Sequence, residues 1–205
     1  MGTVPPEKIN EVALRLIYKF PGKRFIIHYL QPHAPYISSR FCVRGFPRPI
    51  YESEHVLRGI QGYRVNRTVE RLVGLLGTLL VRVKLIKNTW KLREVLNLPP
   101  ASPMDATRRK YGTSGLRKAY RENLEIVLRY VAVLCYELSG TIVITSDHGE
   151  LLGENGKYGH KCGSKDPLLL EVPWFRVTGV KSIHFTKARL RRRIRKLKRT
   201  FNLYV

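Results

Sequence analysis

The chain has 205 residues, with 38 Lys and Arg against 15 Asp and Glu, so its formal net charge is +23. Hydrophobic residues make up 43% of it, which excludes a wholly disordered chain and provides enough apolar side chains for one folded domain with an appendage. The three cysteines are scattered and form no C-x-x-C pair, which excludes a disulfide-rich secreted protein and indicates a reducing compartment. We therefore expect a cytoplasmic protein.

The first elements along the chain are a helix and a buried strand. Two prolines open a run with apolar residues at helical spacing, which predicts a helix that ends near Phe20. The face expected to be buried carries Ile9, Val12, Ala13, Leu16 and Ile17. The continuous apolar and aromatic run Arg24–Leu30 predicts a strand buried on both faces. Pro32 and Pro35 then predict a rigid loop.

The middle of the chain, residues 41–110, is less regular and contains proline-rich turns. The run from Thr68 to Leu85 has helical periodicity, and its most apolar part, 72–81, is too short to span a bilayer. We interpret the whole section as a helical insertion or cap rather than as part of a sheet. A long helix with a regular apolar face is predicted next, from Ser114 to Leu138.

Two further strands are predicted, at Thr141–Thr145 and at Glu171–Val177. Buried strands that alternate with helices are typical of the α/β class, in which the loops at the carboxyl ends of strands form the functional sites. The sequence therefore predicts one α/β domain over residues 1–180, interrupted by the insertion at 41–110.

Residues 181–205 form a basic amphipathic tail. Ten Lys or Arg and no acid lie between Lys181 and Arg199, with a thin apolar stripe at helical spacing. A helix of this kind either packs its stripe on the domain, or binds an anionic membrane at the inner face, or binds nucleic acid. Nucleic acid is the least favoured of the three because the chain carries no motif that supports it.

A predicted metal site lies after the strand that ends at Thr145. Asp147 and His148 are adjacent there, in a chain with only three Asp and six His. A carboxylate oxygen beside an imidazole nitrogen suits a divalent ion such as Mn²⁺ or Zn²⁺. The alternative is that Asp147 caps the following segment and that His148 only packs against its neighbours.

Two other histidines are predicted to join that site. His33 lies between two prolines at the end of the first predicted strand, and His160 follows His148 by twelve residues. His33 is a candidate donor to the oxygens of a bound ester, and its alternative is a surface histidine. A metal-binding pair of His160 with Cys162 is less favoured, since no second pair matches it. His28 is expected to be structural.

These segments resemble the sulfatase-like branch of the alkaline phosphatase superfamily. The stretch from His28 to Tyr36 is similar to the branch's H-x-x-x-P-H-x-P-Y segment, and the stretch from Ser146 to Trp174 is similar to its S-D-H-G, G-E-H and V-P segments in order and spacing. Asn155 departs from that pattern, because it stands where the branch has a histidine. The resemblance implies a mostly parallel, alkaline-phosphatase-like sheet flanked by helices.

The resemblance also implies roles for single residues. Asp147 and His148 would be ligands of a divalent metal ion (Mn²⁺, Zn²⁺, Ca²⁺ or Mg²⁺), and His33 and His160 would be catalytic, facing the oxygens of a sulfate or phosphate ester. The nucleophile and first metal-binding Asp of the family have no counterpart before His33. We therefore expect a metal-dependent hydrolase or transferase that is incomplete and inactive as this chain alone. The alternative is a non-catalytic remnant that binds anionic ligands or a membrane surface through its basic face.

Overall fold

The computed structural model describes residues 3–38, 40–41, 67–86 and 89–177. Within them the helices are α1 (Pro6–Lys19), α2 (Arg67–Arg82), α3 (Thr89–Val95), α4 (Pro103–Glu137) and α5 (Pro167–Leu170), and a 3₁₀ turn spans Glu154–Gly156. The strands are β1 (Ile142–Thr145), β2 (Leu151–Leu152), β3 (Tyr158–Gly159) and β4 (Trp174–Val177). The basic tail predicted at 181–205 lies outside the described residues, as does the 42–66 part of the predicted insertion.

The predicted helices are confirmed, and the fold combines helix and strand, as the α/β class requires in general. α1 and α2 start and end close to their predicted bounds. The predicted long helix is the second part of α4, whose backbone leaves the helical region at Gly112 (φ +71°), a conformation that glycine adopts without steric cost. None of the helices in the described ranges combines the length and the hydropathy that a bilayer crossing needs.

The chain divides into two compact units, and the first comprises Met1–Val4, Leu30–Leu124 and His148–Glu171. Its core is a cluster of aromatic and small apolar side chains around Leu116, which is fully buried. The carboxylate of Asp105 is also fully buried, and it forms ion pairs with Arg108 at 3.0 Å and Arg109 at 3.1 Å. A buried carboxylate is tolerated when it is paired in this way.

The second unit comprises Pro5–Tyr29, Glu125–Asp147 and Val172–Val205. Its core contains Ala13, Leu14 and Leu134, with Ile27 and Tyr29 packed against them. The predicted buried face of α1 is therefore partly wrong, because Val12 and Leu16 are exposed. The side of α1 that is buried follows positions 10, 13 and 14, which share one helical face.

The strand predicted at Arg24–Leu30 is wrong, since residues 24–30 adopt no regular secondary structure. Exposure alternates along this segment, with Ile27 and Tyr29 partly buried and Ile26 99% exposed. A strand needs hydrogen bonds to a neighbouring strand, and among the described residues this segment takes part in no ladder. The apolar composition of the segment indicated a strand but could not provide a strand for it to pair with.

The other two predicted strands form and pair with each other. β1 and β4 are antiparallel, with Ile142 opposite Val177 and Thr145 opposite Trp174. β4 begins at Trp174 rather than at Glu171, which is consistent with the inability of Pro173 to donate a ladder hydrogen bond. The second ladder, β2 with β3, is also antiparallel. Within the described residues both ladders are thus antiparallel, and a mostly parallel sheet is not shown.

Candidate metal centre

His33 lies in an irregular segment of the first unit that is held by helix α4. The side-chain oxygen of Asn123 accepts a hydrogen bond from the backbone N–H of Ile37 at 2.9 Å. Its nitrogen donates to the backbone carbonyls of Pro32 and His33, at 3.1 and 3.2 Å. Asn123 is fully buried, and a buried carboxamide that is satisfied on both atoms fixes the backbone it bonds. The position of His33 is therefore set by α4.

Glu150 and His160 are brought together by the β2–β3 hairpin. Its register places Leu151 opposite Gly159, so the residues one step beyond the ladder, Glu150 and His160, lie opposite each other. Nδ1 of His160 lies 3.0 Å from Oε1 of Glu150, which is hydrogen-bonding distance. Local hairpin geometry is sufficient to form this pair.

The chain enters the hairpin through Gly149, which is packed tightly against the segment around α5. A Cβ atom at this position would lie 1.9 Å from the carbonyl oxygen of Leu168, so only glycine fits. The N–H of Gly149 donates to the carbonyl of Leu169 at 3.0 Å. These contacts fix the backbone immediately before Glu150.

His33, Glu150 and His160 form a cluster whose candidate ligand atoms all lie within 4.8 Å of one another. Nε2 of His33 is 3.8 Å from Oε2 of Glu150, and the rings of His33 and His160 meet edge to face with centroids 5.4 Å apart. The side chain of Glu150 is only 3% exposed, whereas both imidazoles are partly exposed. The carboxylate thus forms the floor of the cluster and the two rings form its rim.

The hydrogen bonding of His33 determines which of its ring nitrogens faces the cluster. Its Nδ1 donates to the carbonyl of Ala34 at 2.6 Å, because a carbonyl oxygen can only accept. The other ring nitrogen, Nε2, lies 3.8 Å from Oε2 of Glu150. That nitrogen is therefore the one that could bind a metal ion, and a backbone carbonyl on the other nitrogen is the usual support of a metal-ligating histidine.

A third imidazole lies beside the cluster. The ring of His148 is tilted by 40° to that of His160, with centroids 3.9 Å apart. Its Nδ1 donates to the carbonyl of Gly149 at 2.8 Å, the same arrangement that His33 has with its following residue. Three of the four residues predicted from the sequence as site residues, His33, His148 and His160, therefore come together in the first unit.

Tyr36 adds a buried polar atom to the first unit. Burial raises the pKa of its phenol well above the usual value, and the negative charge of Glu150 raises it further, which indicates that the two groups are close. Its hydroxyl is buried and makes no hydrogen bond to any described residue. The phenol therefore stays protonated and retains an unused donor.

Asp147, the fourth predicted site residue, belongs to the second unit. Its carboxylate is exposed and lies 3.7 Å from Nε2 of His28 in that unit. Neither Asp147 nor His148 belongs to the donor set of His33, Glu150 and His160. Their role as metal ligands remains a prediction.

Sequence reasoning assigned no role to two residues of this site. Glu150 lies in the segment that carries the resemblance, and the short hairpin after it could have indicated that it faces His160. Asn123 carries no such signal, because its partners at positions 32, 33 and 37 are about ninety residues away in sequence. Only the tertiary structure brings them together.

Comparison with known proteins adds no relative. No model of a known protein family, no curated protein and no solved structure matches this chain.

Proposed function

We propose that the first unit binds a divalent transition-metal ion through His33, Glu150 and His160, as part of a sulfatase-like site for sulfate or phosphate esters. The observation that carries the proposal is the convergence of two imidazoles on a buried carboxylate, with all donor atoms within 4.8 Å. The motif resemblance supports the ester class, and the mostly parallel alkaline-phosphatase-like sheet belongs to the same proposal.

The donor set fits a metal ion. Bond lengths of about 2.0–2.1 Å in a tetrahedral site place ligand atoms roughly 3.3 Å apart. The separations of 3.0 and 3.8 Å from Glu150 to the two imidazoles lie on either side of that value. Two imidazoles with one carboxylate favour Zn²⁺ or Mn²⁺ over Mg²⁺ and Ca²⁺, which prefer oxygen ligands.

A bound ion would supply a Lewis acid that neutralises charge on an ester oxygen. The residues of the chain would hold the ion and orient its ligands. The carbonyl of Ala34 fixes the tautomer of the His33 ring, and Asn123 fixes the backbone of His33. The cluster itself contains no hydroxyl or thiol that could attack the ester. We therefore expect little turnover of aryl sulfates or phosphate esters by this chain alone, with Zn²⁺ or Mn²⁺ added.

Calorimetric titration of the full chain with Zn²⁺ and with Mn²⁺ tests the proposal. Glu150→Gln is expected to weaken binding at least about tenfold, because it removes the charge at the centre of the donor set. Glu171→Gln, an exposed carboxylate of the same unit, is the matched control and is expected to bind as the parent does.

The same titration separates the two candidate ligand sets. If Asp147→Asn weakens binding and Glu150→Gln does not, the ligands are those that the sequence predicted and the cluster of His33, Glu150 and His160 is a hydrogen-bonded network. If the parent chain binds neither ion, the metal site is rejected. Metal-dependent turnover that is lost in Asp147→Ala would show that the chain contains its own attacking group.

The second candidate function is non-catalytic binding of anionic ligands, favoured by the net charge of +23. Its predicted contact through 181–205 lies outside the described residues. Retention on anionic vesicles that falls with salt, without ester turnover, is its expected result, and salt-dependent retention on DNA or RNA would instead favour a nucleic-acid partner.

A further inference from the structure

Helix α2, in the first unit, presents an apolar face that nothing described covers. Leu72, Leu75 and Leu79 recur at helical spacing and are 60%, 71% and 55% exposed. Val69, Leu76 and Val83 extend the same face and are also exposed. Isolated exposed leucines are ordinary, but a continuous apolar stripe on one helix marks an interaction surface.

The other side of α2 is already occupied. Val73 and Gly77 are buried, and a Cβ atom at Gly77 would lie 3.1 Å from Cγ2 of Thr89 in α3. The leucine face is therefore not the side by which the helix packs into its unit. Among the described residues, the side chains of the leucine face do not contribute to the packing of the unit.

Cations border this face. Arg71 and Arg82 are exposed, and Lys84 follows just beyond the end of the helix. Between residues 67 and 87 the sequence contains five Lys or Arg and one acid. A short helix with an apolar stripe and cationic flanks has the pattern of a helix that lies in the interface of an anionic bilayer.

The positive charge beside the leucine face also argues against a second copy of the chain as its binding partner. Two α2 helices packed face to face would bring the flanking arginines of both copies into proximity, where like charges repel. An anionic lipid surface instead attracts them, at about 1 kcal/mol for each cation near the surface. We propose that α2 docks on anionic lipid bilayers with its leucine face buried at the level of the headgroups. This proposal is independent of the metal site and of the basic tail.

Flotation of the full chain with phosphatidylcholine vesicles containing phosphatidylglycerol tests it, at low and at high salt. The triple substitution Leu72→Gln, Leu75→Gln and Leu79→Gln is expected to lower partitioning at least about tenfold, and most clearly at high salt, where adsorption of the charged tail is screened. The matched control, Val12→Gln with Leu16→Gln, replaces exposed apolar residues of α1 and is expected to bind as the parent does.

A second variant, Arg71→Glu with Arg82→Glu, tests the charge without changing the leucines. It is expected to lower binding to the anionic vesicles and to leave the circular dichroism spectrum unchanged. The proposal is overturned if the triple variant partitions like the parent at high salt, or if the parent does not bind. It is equally overturned if sedimentation shows a dimer that the leucine substitutions dissociate while vesicle binding persists.

Discussion

Each unit uses a buried asparagine to attach an irregular segment to a helix, but only one of the two segments is enclosed. In the first unit Asn123 bonds the backbone on both sides of His33, and the neighbouring Tyr36 and Ile37 are buried. In the second unit Asn10 accepts a hydrogen bond from the hydroxyl of Tyr29 and donates to the carbonyl of Tyr130 at 2.8 Å.

The difference lies in what surrounds the attached segment. Around His33 the backbone is hydrogen-bonded to Asn123, and the side chains of Tyr36 and Ile37 are buried. In the second unit Ile26 is almost fully exposed, and Trp174 and Phe175 of β4 are 74% and 62% exposed. A two-stranded sheet has little apolar surface against which side chains can be buried, so the aromatic side chains of β4 remain exposed to solvent. Hydrogen bonds alone can position a segment, whereas burial needs a further layer of structure.

The largest expected effect contrasts two apolar truncations. Leu116→Ala should destabilise the first unit by about 3–5 kcal/mol, because it opens a cavity in a fully closed core. Ile26→Ala in the second unit should change the free energy of unfolding by less than about 0.5 kcal/mol, since its side chain is in water in the folded state. Denaturant titration of both variants is the measurement, and equal losses would contradict the contrast.

The next effect compares the two asparagines. Asn123→Ala should cost about 2–4 kcal/mol, because it leaves an N–H and two carbonyls without partners in a buried place. Asn10→Ala should cost about 1–3 kcal/mol. Hydrogen exchange resolved by peptide locates each loss in its own unit.

Metal affinity in the same two variants distinguishes a role of Asn123 in positioning His33 from a role in stabilising the fold alone. At a temperature where both variants are folded, Asn123→Ala should weaken Zn²⁺ binding because the His33 segment loosens, and Asn10→Ala should not. Weakening by both to the same degree would mean that Asn123 only stabilises the fold.

The smallest expected effect is on the pH dependence of the free energy of unfolding, to which one glutamate in each unit contributes. A hydrogen bond from Arg108 lowers the pKa of Glu94 in the first unit, and hydrogen bonds from Lys8 and Arg15 lower that of Glu11 in the second. A lowered folded-state pKa gives stability that is present above the unfolded value of about 4.3 and is lost as the pH falls through the folded value.

Glu94→Gln should therefore cost about 0.2–1 kcal/mol at pH 7 and progressively less in acid. Glu11→Gln should cost no more than about 0.5 kcal/mol, because both of its pairs lie on the solvent side of one helix. Urea titrations of each variant and the parent between pH 3 and about 7 measure the differences. A cost for Glu94→Gln that grows toward low pH would reverse the assigned sign.

The helices were accessible from sequence because their signals are local. The apolar period of α1 lies within the helix that it predicts, and the same holds for α2. The face that a helix buries was less accessible: Leu16 fits the apolar pattern of α1 but is exposed, whereas Asn10 is buried through its bonds to Tyr29 and Tyr130. Which side of a helix faces inward depends on its neighbours.

For the strands and the candidate site, too, the sequence predicts the local features but not the contacts between distant segments. β1 and β4 were predicted as strands, but their antiparallel pairing depends on which segment lies alongside, and composition does not encode that. The meeting of Glu150 with His160 follows from a nine-residue hairpin, whereas the position of His33 depends on Asn123, about ninety residues away in sequence. The more distant the contact in sequence, the less the local pattern reveals of it.

The sequence by itself determined helices α1 and α2 and the second part of α4, strands β1 and β4, the cationic balance and the identity of three of the histidines at the candidate site. The tertiary structure alone decided that the carboxylate among them is Glu150, that Asp147 lies beside His28, and that the leucines of α2 face outward. The physical reason is that propensity and periodicity act over a few residues, whereas burial and ligand geometry depend on groups that only folding brings into contact.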